Sequence, residues 1–135
     1  MKNARLRSVT AWVLAVIFGL LFLVAGLGKL TGGEAVAEMF SGWGYPLWFA
    51  KVIGVLEMAG GLALIIPRTT RYAVLGLSCI MLGAMYTHLA NGEGLDVLRP
   101  LVFLGAIWIV WWLRGPRGAK GRSSASSFTD TVPSP

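Results

Sequence analysis

The stretch GVLEMAGGLALIIP, residues 54–67, is an apolar run that carries one carboxylate, Glu57. An acidic charge at the centre of a membrane-spanning helix costs about 2.5–3.5 kcal/mol on insertion scales, so such residues usually face the interior of a bundle and find a partner there. Glycines lie on both sides of Glu57, and small residues let helices approach closely. The stretch therefore predicts a membrane helix that packs tightly around a buried carboxylate.

The composition of the whole chain is that of a membrane protein. Its 135 residues are 56% hydrophobic and only 13% charged, whereas about 25% of a soluble domain is charged. The net charge of +6 is concentrated at the edges of apolar segments, which is typical of membrane topology signals rather than of a nucleic-acid partner. A single cysteine, Cys79, excludes an internal disulfide and a CxxC pair.

Four apolar segments predict an all-α fold, a four-transmembrane-helix bundle within residues 1–114. The predicted spans are residues 9–30, 47–66, 72–89 and 98–113. A spanning helix needs about 20 apolar residues, so the chain has room for these four spans and little else. The first segment is longer than the ~7–15-residue apolar core of a secretory signal peptide, which favours an uncleaved span.

Two segments are not predicted to span the membrane. The sequence GGEAVAEMFSGWGYP, residues 32–46, predicts a short amphipathic helix on the outer surface, followed by a Gly/Pro turn. Residues 115–135 are basic and rich in Gly, Ser and Pro, and they predict a disordered cytoplasmic tail.

The charges of the connecting segments predict the orientation. Lys and Arg are enriched on the cytoplasmic side of membrane spans. With four spans, the three basic groups fall on one side and the acidic residues of the two other loops fall on the opposite side. The basic groups are Lys2, Arg5 and Arg7, then Arg68 and Arg71, then Arg114, Arg117, Lys120 and Arg122. We therefore expect a multi-pass protein in the cytoplasmic (inner) membrane of a prokaryote, with both termini cytoplasmic.

The rise of about 1.5 Å per helical residue predicts a polar cluster in the outer half of the bundle. Lys29 and His88 come to similar heights near the outer headgroups, and Glu57 lies roughly 10 Å deeper. Lys29 is the first candidate partner of Glu57, and His88 is the second. A direct contact needs helix tilt, a downward-reaching lysine or a bridging water; otherwise Glu57 is protonated. Lys51 and Arg99 are peripheral members of this candidate ligand site.

The same cluster has a purely structural interpretation. A Lys–Glu pair can fix the order of the helices without binding any ligand. Small residues at the helix contacts support close packing, and the candidates are Gly26, Gly54, Gly60 and Gly61.

No metal site is predicted, because one histidine and one internal glutamate do not complete a three- or four-ligand zinc set. Cys79 lies nine residues before His88, about half a turn around the same helix, so it should face away from the cluster.

Three stretches follow one another along the chain: FGLLFLVAGLGKL (18–30), FSGWGYPLWFAKVIGVLEMAGGLALIIP (40–67) and MLGAMYTHLANGE (81–93). Together they resemble the DoxX-like family of small four-helix membrane proteins. The resemblance implies a Lys/Glu/His cluster built from Lys29, Glu57 and His88. It also implies accessory work in a membrane oxidoreductase linked to quinone or to thiol and oxidative stress, with a membrane or membrane-associated redox partner. The residues themselves include no haem ligand pair, cysteine cluster or nucleotide motif.

Three functions remain open at this point. The first is an accessory, non-catalytic subunit of a membrane redox system, whose cluster binds a lipophilic molecule such as a quinone. The second is a structural or assembly protein without a ligand. The third is a small proton-coupled exporter, although such exporters carry their essential glutamate in the first span and Glu57 lies in the second.

Overall fold

A computed structural model describes residues 2–115 of the chain. Within this range the chain forms five helices and no strand, which confirms the all-α class. The helices are α1 (Lys2–Thr31), α2 (Gly33–Gly42), α3 (Leu47–Ile65), α4 (Thr70–Ala90) and α5 (Leu98–Arg114). The predicted disordered tail, residues 115–135, lies outside the described residues except for Gly115.

Prolines and a glycine set the ends of α3. Pro46 is extended immediately before the helix, and Ile66 (φ −77°, ψ 119°) is extended immediately before Pro67. A proline disfavours the helical region for the residue that precedes it, so the helix ends at Ile65. Gly44 has a φ of +84° in the turn between α2 and α3, a conformation that glycine adopts without a steric penalty.

The four long helices pack in the cyclic order α1, α3, α4, α5, and the contact between α1 and α3 is the most extensive. Their shared core consists of aliphatic and aromatic side chains from all four. Its largest fully buried members are Phe22, Leu64, Leu77, Ile107, Val74 and Val110. The short helix α2 contacts α3 and α1, at the end of the bundle where α1 ends and α3 begins.

Glycines bring the backbones of α1 and α3 into direct contact. A Cβ atom on Gly54 would lie 2.7 Å from the carbonyl oxygen of Gly26, and one on Gly61 would lie 2.6 Å from the carbonyl oxygen of Gly19. Neither position has room for a side chain. Gly60 instead faces the side chain of Leu77 on α4. The predicted glycines thus lie at two helix contacts, and Gly19, which was not predicted, lies at the contact between α1 and α3.

The outward surface of the bundle is apolar. Helices α1, α3 and α4 are long and apolar enough to cross a membrane. Helix α5, with 17 residues, is shorter than these three. Many large aliphatic side chains are exposed on these four helices, including Leu20, Val24, Val55, Leu62, Leu75, Leu82, Val102 and Ile109. An exposed apolar surface of this extent indicates contact with a membrane. Three spans are therefore supported, and the four-span count stays a prediction.

Arg114 fastens the last turn of α5 to the end of α3. Its guanidinium donates hydrogen bonds to the carbonyl oxygens of Leu64 (2.6 Å) and Ile65 (3.1 Å) and to the hydroxyl of Thr70. It also lies 5.4 Å from the ring centroid of Trp12. The last carbonyl groups of a helix have no partner within the helix, and a cation there is favourable for the helix dipole. This contact closes the end of the bundle opposite to α2.

Candidate functional site

A cavity of about 270 Å³ lies at the α2 end of the bundle, and all five helices contribute to its walls. Lys29, Glu57, His88 and Arg99 all line it. Arg99 is exposed at its edge. Lys51 is also exposed, and it is not among the described residues that line the cavity. The structure thus brings four of the five predicted cluster residues to one cavity.

At the cavity wall, Lys29 and Glu57 form a direct ion pair. The Nζ atom of Lys29 donates to the Oε2 atom of Glu57 over 2.6 Å. Glu57 is only 4% exposed, and the side chain of Lys29 is 22% exposed. A charge-assisted hydrogen bond of this length is among the strong ones. The contact is possible because Gly54, one turn from Glu57, lets α3 approach the Lys29 end of α1: a Cβ atom there would lie 3.1 Å from the Cβ atom of Lys29.

Aromatic side chains from α2, the α2–α3 turn and the first turn of α3 form one wall of the cavity. Phe40, Trp43, Tyr45 and Phe49 all line it, and the ring centroids of Phe40 and Trp43 are 5.3 Å apart. The hydroxyl groups of Tyr45 and Thr87 lie 3.1 Å apart, which ties this wall to α4. No residue of GWGYP was predicted to belong to the site, although two aromatic rings in a Gly/Pro turn beside a polar cluster were an available signal.

His88 pairs with Glu93, and no contact with Glu57 is found among the described residues. Its Nδ1 atom lies 2.7 Å from the Oε2 atom of Glu93. Trp43 donates its Nε1 proton to the other carboxylate oxygen of Glu93 over 3.2 Å. The hydrogen bond from His88, followed by that from Trp43, holds the pKa of the Glu93 carboxyl below its usual value, because both favour the charged form. The second candidate partner of Glu57 is therefore engaged elsewhere.

The loop after α4 also places Asp96 near this pair. The ligand atoms of His88, Glu93 and Asp96 all lie within 4.8 Å of one another. No metal site was predicted, because His88 was paired only with Glu57. The spacing H-x4-E-x2-D around the turn at Asn91 and Gly92 is the sequence signal for this cluster.

The arrangement suits binding of a polar group attached to an apolar body. Lys29 has three N–H donors, and Glu57 accounts for one of them. Aromatic and aliphatic side chains make up most of the remaining wall, as in many small-molecule sites. Cys79 is exposed on α4. None of the described residues that line the cavity carries a thiol for redox chemistry.

Comparisons with known proteins agree with the membrane fold. The model of the DoxX-like family matches residues 13–110 of this chain. No solved structure matches the chain.

Three curated bacterial proteins are similar to this chain. The uncharacterized protein YdgD of Bacillus subtilis is 32% identical over 81 residues, which are 57% of this chain and 71% of YdgD. The "Putative oxidoreductase CatD" of Bacillus subtilis is 33% identical over 75 residues, 56% of either chain. The inner membrane protein YqjF of Escherichia coli is 28% identical over 110 residues, 78% of this chain and 85% of YqjF. These matches support a multi-pass protein of a prokaryotic membrane.

Proposed function

Since the chain belongs to the DoxX-like family, we propose that it is an accessory subunit of a membrane redox system and that its cavity binds the polar head of a lipophilic molecule of the quinone type. The printed name of one relative, "Putative oxidoreductase CatD", supports the redox link. The match covers just over half of CatD, so its activity is carried over here only as part of the proposal.

The observation that carries the proposal is a buried ion pair that opens onto an aromatic cavity. Glu57 and Lys29 both line the cavity. A pair that served only to fix the order of the helices would not need to open onto a cavity. The volume of about 270 Å³ lies just under the ~300–1,000 Å³ range of drug-sized ligand sites. It therefore suits a single substituted ring, while a long acyl or isoprenoid tail would remain among the lipids.

Lys29 gives the cavity a hydrogen-bond donor for an oxygen atom of such a ring. Lys29 keeps N–H donors beyond the one given to Glu57 and can donate to a carbonyl oxygen. Tyr45 and Phe49, whose ring centroids are 5.0 Å apart, offer an apolar surface for the ring faces. We assign recognition to Lys29, which Glu57 holds at the cavity wall, and we assign the walls to the aromatic residues of the α2–α3 segment.

Co-purification tests this function. The wild-type protein, purified from its native membrane in mild detergent, should retain a redox-active lipophilic molecule and a membrane redox protein, both identifiable by mass spectrometry. The double variant Lys29→Met/Glu57→Gln should lose the small molecule. The matched control Lys51→Met/Glu38→Gln removes the same two charges at exposed positions and should keep it.

The opposite outcomes are also informative. A wild-type protein that retains no such molecule would overturn the ligand proposal and leave the ion pair with a structural role. Retention of the molecule in the Lys29→Met/Glu57→Gln variant would overturn the assignment of these two residues.

We further propose that α5 is a fourth span and that both termini face the cytoplasm. The basic residues at the Arg7 and Arg114 end of the bundle support this orientation. In a Cys79→Ser background, Ser41→Cys on α2 should label with a membrane-impermeant thiol reagent in intact cells, whereas Ser8→Cys at the other end should label only after permeabilisation. Both serines are exposed, so the two cysteine variants carry the same substitution at accessible positions and differ in the end of the bundle at which the thiol lies. The reverse labelling pattern would contradict the orientation.

A further inference from the structure

We propose that His88, Glu93 and Asp96 form a binding site for a divalent transition-metal cation of the zinc type at the rim of the cavity. One imidazole nitrogen and two carboxylate oxygens are ligands that Zn²⁺ accepts. Three protein ligands leave a fourth position for water or for a bound molecule, as in zinc sites that remain open. This inference goes beyond the proposed function, which rests on Lys29 and Glu57.

The positions of the three ligand atoms are close to those that a metal requires. They all lie within 4.8 Å of one another, and the Nδ1 atom of His88 is already 2.7 Å from Glu93 Oε2. Ligands about 2.0–2.2 Å from a tetrahedral Zn²⁺ lie roughly 3.3–3.6 Å apart. Binding therefore needs a small opening of the His88–Glu93 contact and an approach of Asp96. The side chain of Asp96 is exposed and can change rotamer.

Two contacts of Trp43, which lies outside the set of three, orient the ligands. Its indole donates to Oε1 of Glu93 over 3.2 Å, which leaves Oε2 directed at His88. Its ring also packs edge-on against the imidazole of His88, with centroids 5.3 Å apart and an interplanar angle of 83°. Partners of this kind fix the orientation of metal ligands and raise metal affinity.

The loop backbone holds the spacing of the three residues. The N–H group of Glu93 donates to the carbonyl oxygen of His88 over 2.9 Å, and the N–H group of Asp96 donates to that of Glu93 over 3.1 Å. Gly92 has a φ of +74°, a left-handed conformation that favours glycine and folds the loop back over the end of α4. The backbone hydrogen bonds of this turn therefore hold the three ligand residues at a fixed spacing.

Charge supports a cation at this position. Glu93 and Asp96 bring two carboxylate groups within 4.8 Å of each other, and like charges at short range repel. A divalent cation neutralises both, whereas His88 supplies at most one positive charge. Metal binding would displace the Nδ1 proton that faces Glu93, so that His88 binds as a neutral imidazole through Nδ1 with its remaining proton on Nε2.

Titration with the metal alone tests the site. The full chain, purified in detergent without a histidine tag and stripped with a chelator, should bind one Zn²⁺ per chain in isothermal titration calorimetry. Co²⁺ should bind with the visible absorption of a tetrahedral or five-coordinate site. Asp96→Asn and Glu93→Gln should each weaken Zn²⁺ binding by at least ~10-fold, the lower end of what even outer-shell partners contribute.

Matched controls separate this site from other carboxylates and from the proposed ligand pocket. Glu38→Gln removes an exposed carboxylate from α2 and should leave Zn²⁺ affinity unchanged, as should Lys29→Met/Glu57→Gln. Absence of Zn²⁺ binding in the wild type, or equal binding in Asp96→Asn and the wild type, would overturn the proposal. Asp96 is exposed, so Asp96→Asn remains a valid test even where Glu93→Gln disturbs the loop. Neither result depends on whether the cavity retains a lipophilic molecule.

Discussion

Glu57→Gln should lower the free energy of unfolding by about 3–5 kcal/mol, because removing one partner of a buried ion pair leaves the other charge uncompensated. Glu57 is 4% exposed and lies 2.6 Å from Lys29 Nζ, so the lysine would keep its charge without the carboxylate that stabilises it. Lys29→Met should destabilise the protein for the same reason. Unfolding in mixed detergent micelles, followed by circular dichroism, measures both effects.

The double variant Lys29→Met/Glu57→Gln should recover most of the lost stability, because both charges are removed together. The difference between the double variant and the sum of the single variants is the coupling energy of the pair. If the pair only fixes the helices, the double variant also regains function. If the cavity is a ligand site, stability returns while the co-purifying molecule stays lost. A harmless Glu57→Gln variant would mean that Glu57 is protonated, and it would contradict the ion pair.

Gly54→Ala should destabilise the protein by about 1–3 kcal/mol, the usual cost of overpacking a close contact. The added Cβ atom would lie 2.7 Å from the carbonyl oxygen of Gly26, and a backbone atom can yield only if α1 and α3 move apart. The same movement would lengthen the Lys29–Glu57 contact. The variant should therefore weaken both the helix contact and ligand retention in the cavity.

Gly76→Ala is the matched control on α4. A Cβ atom at Gly76 meets nothing within 4 Å, and alanine is favoured over glycine in a helix by about 1 kcal/mol. The two substitutions should thus change the unfolding free energy in opposite directions, which the same micelle experiment detects. A Gly54→Ala variant as stable as Gly76→Ala would show that α1 and α3 are not in backbone contact there.

The helices and most of their limits follow from the sequence. Long apolar runs predict membrane helices because lipid offers no hydrogen-bond partner to the backbone, and Pro46 and Pro67 bound α3 as expected. The predicted first span, residues 9–30, falls inside α1, which begins seven residues earlier at Lys2. Apolar periodicity marks the part of a helix that lies in the membrane, and it carries no information on a polar extension beyond it.

Helical rise predicts the approximate height of each polar residue along the bundle. Lys29, Glu57, His88 and Arg99 line one cavity in the structure, whereas its aromatic wall was not predicted. The glycines around Glu57 indicated close packing, and Gly54 and Gly61 lie against the backbone of α1.

Which side chains pair with one another depends on how the helices and loops pack in the folded chain. Height along a helix leaves open how far a side chain reaches, and Lys29 extends down to Glu57 while His88 turns to Glu93. The cluster of His88, Glu93 and Asp96 and the hydrogen bond from Trp43 depend on the path of two loops. Loop paths are set by a few dihedral angles and by tertiary contacts, which hydrophobic periodicity does not encode. Hydrophobic patterning and helical rise therefore predict the helices and the approximate depth of the polar residues, and the packing of the helices determines which of those residues meet.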